Sequence, residues 1–426
     1  MNEKEWRARY LSLAKEKLPE EARLRIHRTL QAAAKSPHMA RSGLRRSAWW
    51  IGAGAVAAGL LTLALLSHAP QTTKPANHPH HPTPPVVVIA KASLQNLDMV
   101  NPAVGWGITK TGRVLRTTDG GKTWLDVTPK GEPKSAPGYG GPAIGTTDGS
   151  HAWLAVSQLS SISQQLPVVI VYRTSDGGLS WQHVTLQQNG TPQIQFLPSG
   201  TGFLLLHQGA AAGSEGVLLL RSADAGASWQ VISQGTPQSN ARIFGGDKSG
   251  FGFLDAQHGW ITGEWAADSI LLYETQDGGK TWQVPTLPVP SGLSAQGGSA
   301  TSMPPYFFGG SDGVMPVAFG MPGQPTDFYQ TSDGGRTWTP TVPVNGGGNR
   351  LVYSVVSQSV IVASDGTKLF RTADGGGNWT SVQPNLSLQG VSELDFVSGM
   401  DGWAVVQGGL LHTADGGATW TKAGAK

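Results

Sequence analysis

Cysteine is absent from the 426 residues, which excludes a disulfide framework, a thiol nucleophile and any thiolate metal site. Charge is also scarce, at 14% Asp, Glu, Lys and Arg, and it is unevenly placed. Residues 1–46 hold twelve of the Lys and Arg against five acids, whereas the remainder holds nineteen against twenty-three. The net charge of +3 therefore comes from the leader, and a globally cationic nucleic-acid binder is excluded. What the chain has instead is 58 glycines and 15 tryptophans, a mixture that suits many short strands and turns better than helices. The length exceeds what one core needs, so several domains or a repeat array are expected.

Residues 48–66, AWWIGAGAVAAGLLTLALL, contain no charge. As a helix they would span roughly 28 Å, the thickness of a bilayer's hydrocarbon core. Trp49 and Trp50 stand where indoles favour the interface, and Arg41, Arg45 and Arg46 precede them, with no further Lys or Arg until Lys74. The positive-inside rule then puts the N-terminus in the cytoplasm and the rest outside it. A cleavable signal peptide is the rival reading, with Ser67-His68-Ala69 as cleavage site, but the leader is long for one and Pro70 follows. Gly54/Ala58 and Ala55/Gly59 are small-xxx-small pairs that either pack two such helices or merely reflect small-residue content. Pro19, Glu20 and Glu21 open a helical pattern that either docks a cytoplasmic partner through residues 1–35 or lies near anionic lipid. After the span, the Pro/His-rich stretch that closes at 85 reads as a semi-rigid stalk. His78, His80 and His81 lack a folded frame for a metal.

The dominant signal is RTTDGGKTW at 116–124, repeated as RTSDGGLSW, RSADAGASW, ETQDGGKTW, QTSDGGRTW, RTADGGGNW and HTADGGATW. The aspartates are Asp119, Asp176, Asp224, Asp277, Asp333, Asp374 and Asp415, at intervals of 57, 48, 53, 56, 41 and 41 residues. The tryptophans are Trp124, Trp181, Trp229, Trp282, Trp338, Trp379 and Trp420. Comparing copies decides the chemistry. Lys122 becomes Leu179, Ala227, Arg336, Gly377 or Ala418 elsewhere, so a phosphate loop, which needs its cation, fails. A calcium loop would need more oxygen ligands than the glycines and small hydroxyls supply. The first glycine becomes Ala225 in one copy while the second never varies, as a positive φ at the second position would require. Each aspartate is thus expected to close a turn, and each tryptophan to wedge between neighbouring units. Four short β-type runs per unit, clearest in VSELDFVS, DGWAVVQ, GLLHTAD and ATWTKAG, give an all-β, seven-bladed β-propeller with four-stranded blades.

The pattern S/T-x-D-x-G-x-x-W is that of the Asp-box, or bacterial neuraminidase repeat. With GW strands ahead of DGGxTW boxes, residues 91–426 resemble the photosystem II stability/assembly factor-like family. The resemblance implies an assembly or stability role; Asp-box propellers at large also serve as hydrolases and receptors. Sialidases of this type use an arginine cluster, but Arg116, Arg173, Arg221 and Arg371 repeat at one position before the boxes, and no Phe-Arg-Ile-Pro segment occurs. Xyloglucan-type hydrolases use two propellers, and one is present here. Sixteen acids lie outside the boxes, and no pair of them stands out as acid and nucleophile. No catalytic residue, cofactor or metal is assigned.

The boxes occupy one face of the ring, so the second-to-third-strand and blade-to-blade loops share the other. Long insertions at 129–141, 157–167, 234–249 and 287–305 fall in blades 2 to 5, and recognition usually resides in such loops. Tyr139, Arg242, Phe244, Glu264, Trp265, Tyr306 and Phe307 are the binding residues expected there. The domain plan is a cytoplasmic leader at 1–46, a membrane helix at 47–67, a linker at 68–85 and the propeller at 86–426. The function expected is a membrane-anchored extracytoplasmic platform for a protein or envelope polymer. The alternatives are a glycan-acting hydrolase and a signalling receptor coupled through the leader. Val86–Ala90 is expected to complete the last blade, because only six residues follow Trp420.

Overall fold

The computed structural model describes residues 88–89, 93–131, 133–159, 167–211, 213–236, 243, 245–264, 268–296, 300–320, 325–347 and 350–424. The leader, the apolar segment at 47–67 and the linker lie outside them. Among the described residues no helix is long and apolar enough to cross a membrane.

Seven antiparallel sheets follow one another around a ring. Blade 7 pairs Glu393–Phe396, Gly402–Val406, Gly409–Thr413 and Thr421–Lys422 in chain order, and blades 1, 2, 3 and 6 follow the same plan. In blade 4 the fourth strand is reduced to a single bridge between Glu274 and Gln283. In blade 5 the innermost position is shared by Ala300–Ser302 and Tyr306–Phe308, both paired to Asp312–Phe319, and the fourth strand survives as two bridges. The innermost strands of blades 2 and 3, 6 and 7, and 7 and 1 lie side by side. The first strand of each blade therefore lines the axis.

One face is knitted by the boxes. In all seven, the N–H of the first box residue of the pair donates to a carbonyl of the first-to-second-strand turn of the same blade, as Gly120 does to Ala103 and Gly416 to Met400, both at 2.8 Å. Those turns carry their own caps: Asn101 Oδ1 accepts from Ala103 and Val104, Asp148 Oδ1 from Ser150 and His151, and Asp255 Oδ1 from Gln257 and His258.

Each box aspartate is consumed by its own turn. Asp119 Oδ1 accepts from Thr117 Oγ1 at 2.9 Å and from the Thr123 N–H at 2.8 Å, while Oδ2 accepts from Thr123 Oγ1 at 2.6 Å. The Thr117 hydroxyl accepts in turn from Gly121 N at 2.9 Å. The other six copies repeat this, with Asn378 supplying an amide in place of the last hydroxyl.

The glycine pair needs a different explanation from the one the sequence suggests. Both positions have positive φ: 75° and 82° at Gly120 and Gly121, and 54° even at Ala225. Backbone conformation therefore does not separate them. What the second position has in every copy is close contact with the preceding blade. A Cβ on Gly335 would meet the Trp260 ring at 2.3 Å, one on Gly279 would meet Leu219 at 2.5 Å, and one on Gly417 would meet Leu369 at 2.5 Å. The first position is crowded in most copies too, as at Gly416, where a Cβ would meet Arg371 at 2.0 Å. At Gly120, Gly278 and Gly375, however, the nearest atom is a carbonyl of the same blade, and at Gly334 nothing lies nearer than 3.5 Å.

The apolar core divides among the blade–blade interfaces, and each cluster holds one box indole. Trp124 packs with Trp403 and Leu410 between blades 1 and 7, and Trp420 with Leu369 and Leu388 between blades 7 and 6. The tryptophans of the GW strands reach the other way: Trp153 Nε1 donates to Ala225 O at 2.9 Å and Trp403 Nε1 to Gly120 O at 3.0 Å. The second of these bonds ties the last blade to the first.

Ring closure differs from expectation. Thr421–Lys422 already fills the outer edge of blade 7, whereas the outer edge of blade 1 was free. Val88–Ile89 pairs there, with Val88 opposite Leu125 and Ile89 opposite Trp124, making blade 1 five-stranded. The two ends of the ring meet through side chains and share no strand.

Candidate functional site: the axial cavity

Alternation along a strand puts residues i and i+2 on the same side. In Glu393–Phe396, Leu394 and Phe396 enter the blade 6–7 core, which turns Glu393 and Asp395 the other way. Both reach the innermost strand of blade 1: Glu393 Oε2 accepts from Leu97 N at 2.8 Å, and Asp395 Oδ2 accepts from Met99 N. Asp98, between those two residues, accepts from Thr146 Oγ1 of blade 2. The slot held by Asp395 serves as an inter-blade tie elsewhere too, since Ser354 Oγ accepts from Phe396 N and Gln195 Oε1 from Phe253 N. An innermost strand has no further strand to pair its outward N–H groups, and these side chains satisfy some of them.

The three acids line a cavity of about 760 Å³ with Tyr306, Arg350 and Tyr353. Its lining takes in the loop-face ends of the innermost strands, at Gln95, Arg350 and Val391. Two further cavities adjoin it there, one of about 590 Å³ sharing Gln95 and Ser392 and one of about 740 Å³ sharing Arg350 and Val391.

Crowding sets the protonation. Burial, then the charges of Asp395 and Asp98, push Glu393 up to about 8. Burial, then Asp98, pushes Asp395 up to about 7. Asp98 is raised by burial against the pull of the Thr146 hydroxyl. Near neutrality the three carboxyls thus carry fewer than three charges. Tyr306, 42% exposed into this lumen, is pushed up to about 12 by burial and by Glu393 and Asp395.

The box carboxylates behave oppositely. Hydrogen bonds from the Ser228 hydroxyl and N–H hold Asp224 down at about 2, and Asn378 and Thr419 do the same for Asp374 and Asp415. These carboxylates stay ionised and have no oxygen to spare. Among the described residues no group of three or more His, Asp or Glu is placed to hold a metal ion.

Of the residues singled out from sequence, Tyr306 lines the axial cavity. Phe307 stacks on Trp260 with 4.9 Å between ring centroids, inside the blade 4–5 core. Glu264 is exposed and accepts from Thr301 Oγ1 at 2.6 Å. Tyr139 is half-buried, with its N–H on Ala136 O at 3.1 Å. Arg242, Phe244 and Trp265 lie outside the described residues. The box-preceding arginines of blades 1 and 6 tie turns together: Arg116 Nε donates to Gly149 O at 2.8 Å and Arg371 to Gly399 O at 2.6 Å. The axial acids were missed. Glu-x-Asp in the first run of a repeat was the available signal, but only the ring geometry reveals that this strand is innermost.

Fold and site together define a seven-bladed Asp-box β-propeller. Residues 248–382, which span blades 4 to 6, match the family model described as photosynthesis system II assembly factor YCF48, so the resemblance read from the boxes holds over just under a third of the chain. No curated protein matches in sequence. Among solved structures, the GH74 enzyme of Niastella koreensis aligns at 15% identity and TM-score 0.56, covering 79% of this chain and 55% of that one. YCF48 from Cyanidioschyzon merolae aligns at 15% identity and TM-score 0.50, covering 76% and 96%. YCF48 bound to a D1 peptide aligns at 16% identity and TM-score 0.49, covering 78% and 95%. This chain spans about half the length of that GH74 enzyme and nearly the whole of the YCF48 chains. At such identities the likeness is one of fold.

Proposed function

We propose that this propeller is a non-enzymatic docking platform, assembly factor-like, which receives a protein segment at the loop-face mouth of the axial cavity. The carrying observation is the mouth itself: three cavities converge where blades 6, 7 and 1 meet, with Gln95, Arg350, Val391 and Ser392 shared between them. The family match over blades 4 to 6 supports the assembly reading. We place the propeller outside the cytoplasm, held by residues 48–66 as a single membrane span with the leader inside; the charge-free run and the arginines before it support this. Protease added to intact cells should then cut propeller loops and spare 1–46.

One observation favours a second reading. Glu393 and Asp395, raised towards neutrality in a cavity, have the protonation expected of a glycosidase acid. Against it, both are tied to blade 1 backbone, which leaves their carboxyls positioned for structure. The readings separate by experiment. The full chain should turn over no member of a panel of chromogenic glycosides, and Arg350→Glu should weaken capture of its partner from native membranes at least tenfold. Turnover abolished by Glu393→Gln would establish the hydrolase instead.

A further inference from the structure

Blades that follow one another in the chain are joined by connecting loops; blades 7 and 1, the last and the first, are not. Their seam is held by the apolar cluster around Leu97, Met99, Trp403 and Leu410 and by side-chain ties. Trp403 Nε1 donates to Gly120 O on the box face. On the axial side, Leu97 N donates to Glu393 Oε2 at 2.8 Å and Met99 N to Asp395 Oδ2. At two other seams the acceptor is neutral: Phe253 N donates to Gln195 Oε1 between blades 3 and 4, and Phe396 N to Ser354 Oγ between blades 6 and 7. Glu215 also accepts across the blade 3–4 seam, from Lys248 N. There His207 and Lys248 stand beside it and, against burial, hold its carboxyl below the usual range.

At the seam of blades 7 and 1 the acids have no such company. Asp98, between Leu97 and Met99, lines the same cavity as Glu393 and Asp395, and all three are half-buried. Tyr306 of blade 5 and Tyr353 and Arg350 of blade 6 face that cavity, and Lys110 lines the adjoining one. Arg350 and Lys110 are exposed, so salt and water screen them from the acids. Burial holds all three carboxyls above the usual carboxylate range, and like charge adds to it at Glu393 and Asp395. Once ionised they repel one another, and parting the blades restores their hydration. No connecting loop resists that movement here.

We propose that the seam between blades 7 and 1 is a pH-operated gate, shut while Glu393 and Asp395 are protonated and parted on its axial side when they ionise. The other six seams stay shut. The stabilising protons are lost as pH rises through about 7 and about 8, so the gate works from neutral to mildly alkaline pH. Two cavities of the mouth straddle the seam, and parting it reshapes the docking surface. That corollary rests on the docking function proposed above, whereas the gate does not.

Amide hydrogen exchange of the full chain, with no partner present, reads the gate directly. Protection factors cancel the intrinsic pH dependence of exchange. From pH 6 to pH 8, protection at Leu97 and Met99 should fall about tenfold or more. Phe253 and Phe396, bonded in the same way across other seams, should keep theirs within about twofold. Glu393→Gln with Asp395→Asn preserves both acceptors and removes both charges, and should keep Leu97 and Met99 protected at pH 8. Unchanged protection at Leu97 and Met99 in the unaltered chain, or an equal fall at all four amides, would overturn the gate. So would a fall as large in the double variant. The unaltered chain decides the first comparison whether or not the double variant folds.

Discussion

Ala225 is the one non-glycine among the described residues with positive φ, at 54°. Left-handed backbone costs an L-residue roughly 1 kcal/mol or more. Ala225→Gly should therefore stabilise the propeller, by up to about 1 kcal/mol, the relief of strain less the added freedom of the unfolded chain. Gly335→Ala should do the reverse by about 2 kcal/mol or more, since the new methyl meets the Trp260 ring on the blade behind. Urea unfolding of the two variants reads both signs. The invariance of the second glycine was visible in the sequence, but its cause was not: the contact that forbids a side chain comes from a residue 75 positions earlier.

Among the elements, the box is the part most legible from sequence. Seven copies in one chain separate what the turn requires from what it tolerates, and every required atom lies within nine residues. Trp420 is 1% exposed and sits between blades 6 and 7, so Trp420→Ala should cost about 3–5 kcal/mol, measured as a shift in the denaturant midpoint. A loss below about 1 kcal/mol would show that the wedge is not needed. The innermost strands were far less legible. Glu393, Asp395 and Asp98 come together only when blade 7 meets blade 1, across some 296 residues, and no local pattern signals that meeting. Loop length pointed to blades 2 to 5, where the insertions are, whereas the three cavities adjoin one another over blades 6, 7 and 1. The edge strand at 88–89 was readable as a strand, but its partner depended on which outer edge remained free.

For the molecule as a whole, two sets of carboxyls bend stability against pH in opposite directions. The box aspartates are held below their unfolded value of 3.8, to about 2 in three of them. Their contribution is complete above about 4 and is lost as pH falls towards 2. Glu393 moves from 4.5 up to about 8, and Asp395 from 3.8 up to about 7. Each keeps a proton that the unfolded chain has released, so stability is fully present below about 4 and declines as pH rises towards 8. The melting temperature should thus peak in mildly acidic buffer and fall between pH 5 and 8. Glu393→Gln should flatten the alkaline limb and leave the acid limb unchanged. The central claim is that the box face is structural and the loop-face mouth is where a partner docks. A photo-crosslinking residue placed at Gln95, on the mouth, or at Lys122, on a box, tests it most directly when the full chain is irradiated in native membranes. The account predicts a protein adduct at position 95 and none at 122; the same adduct at both, or one at 122 alone, would contradict it.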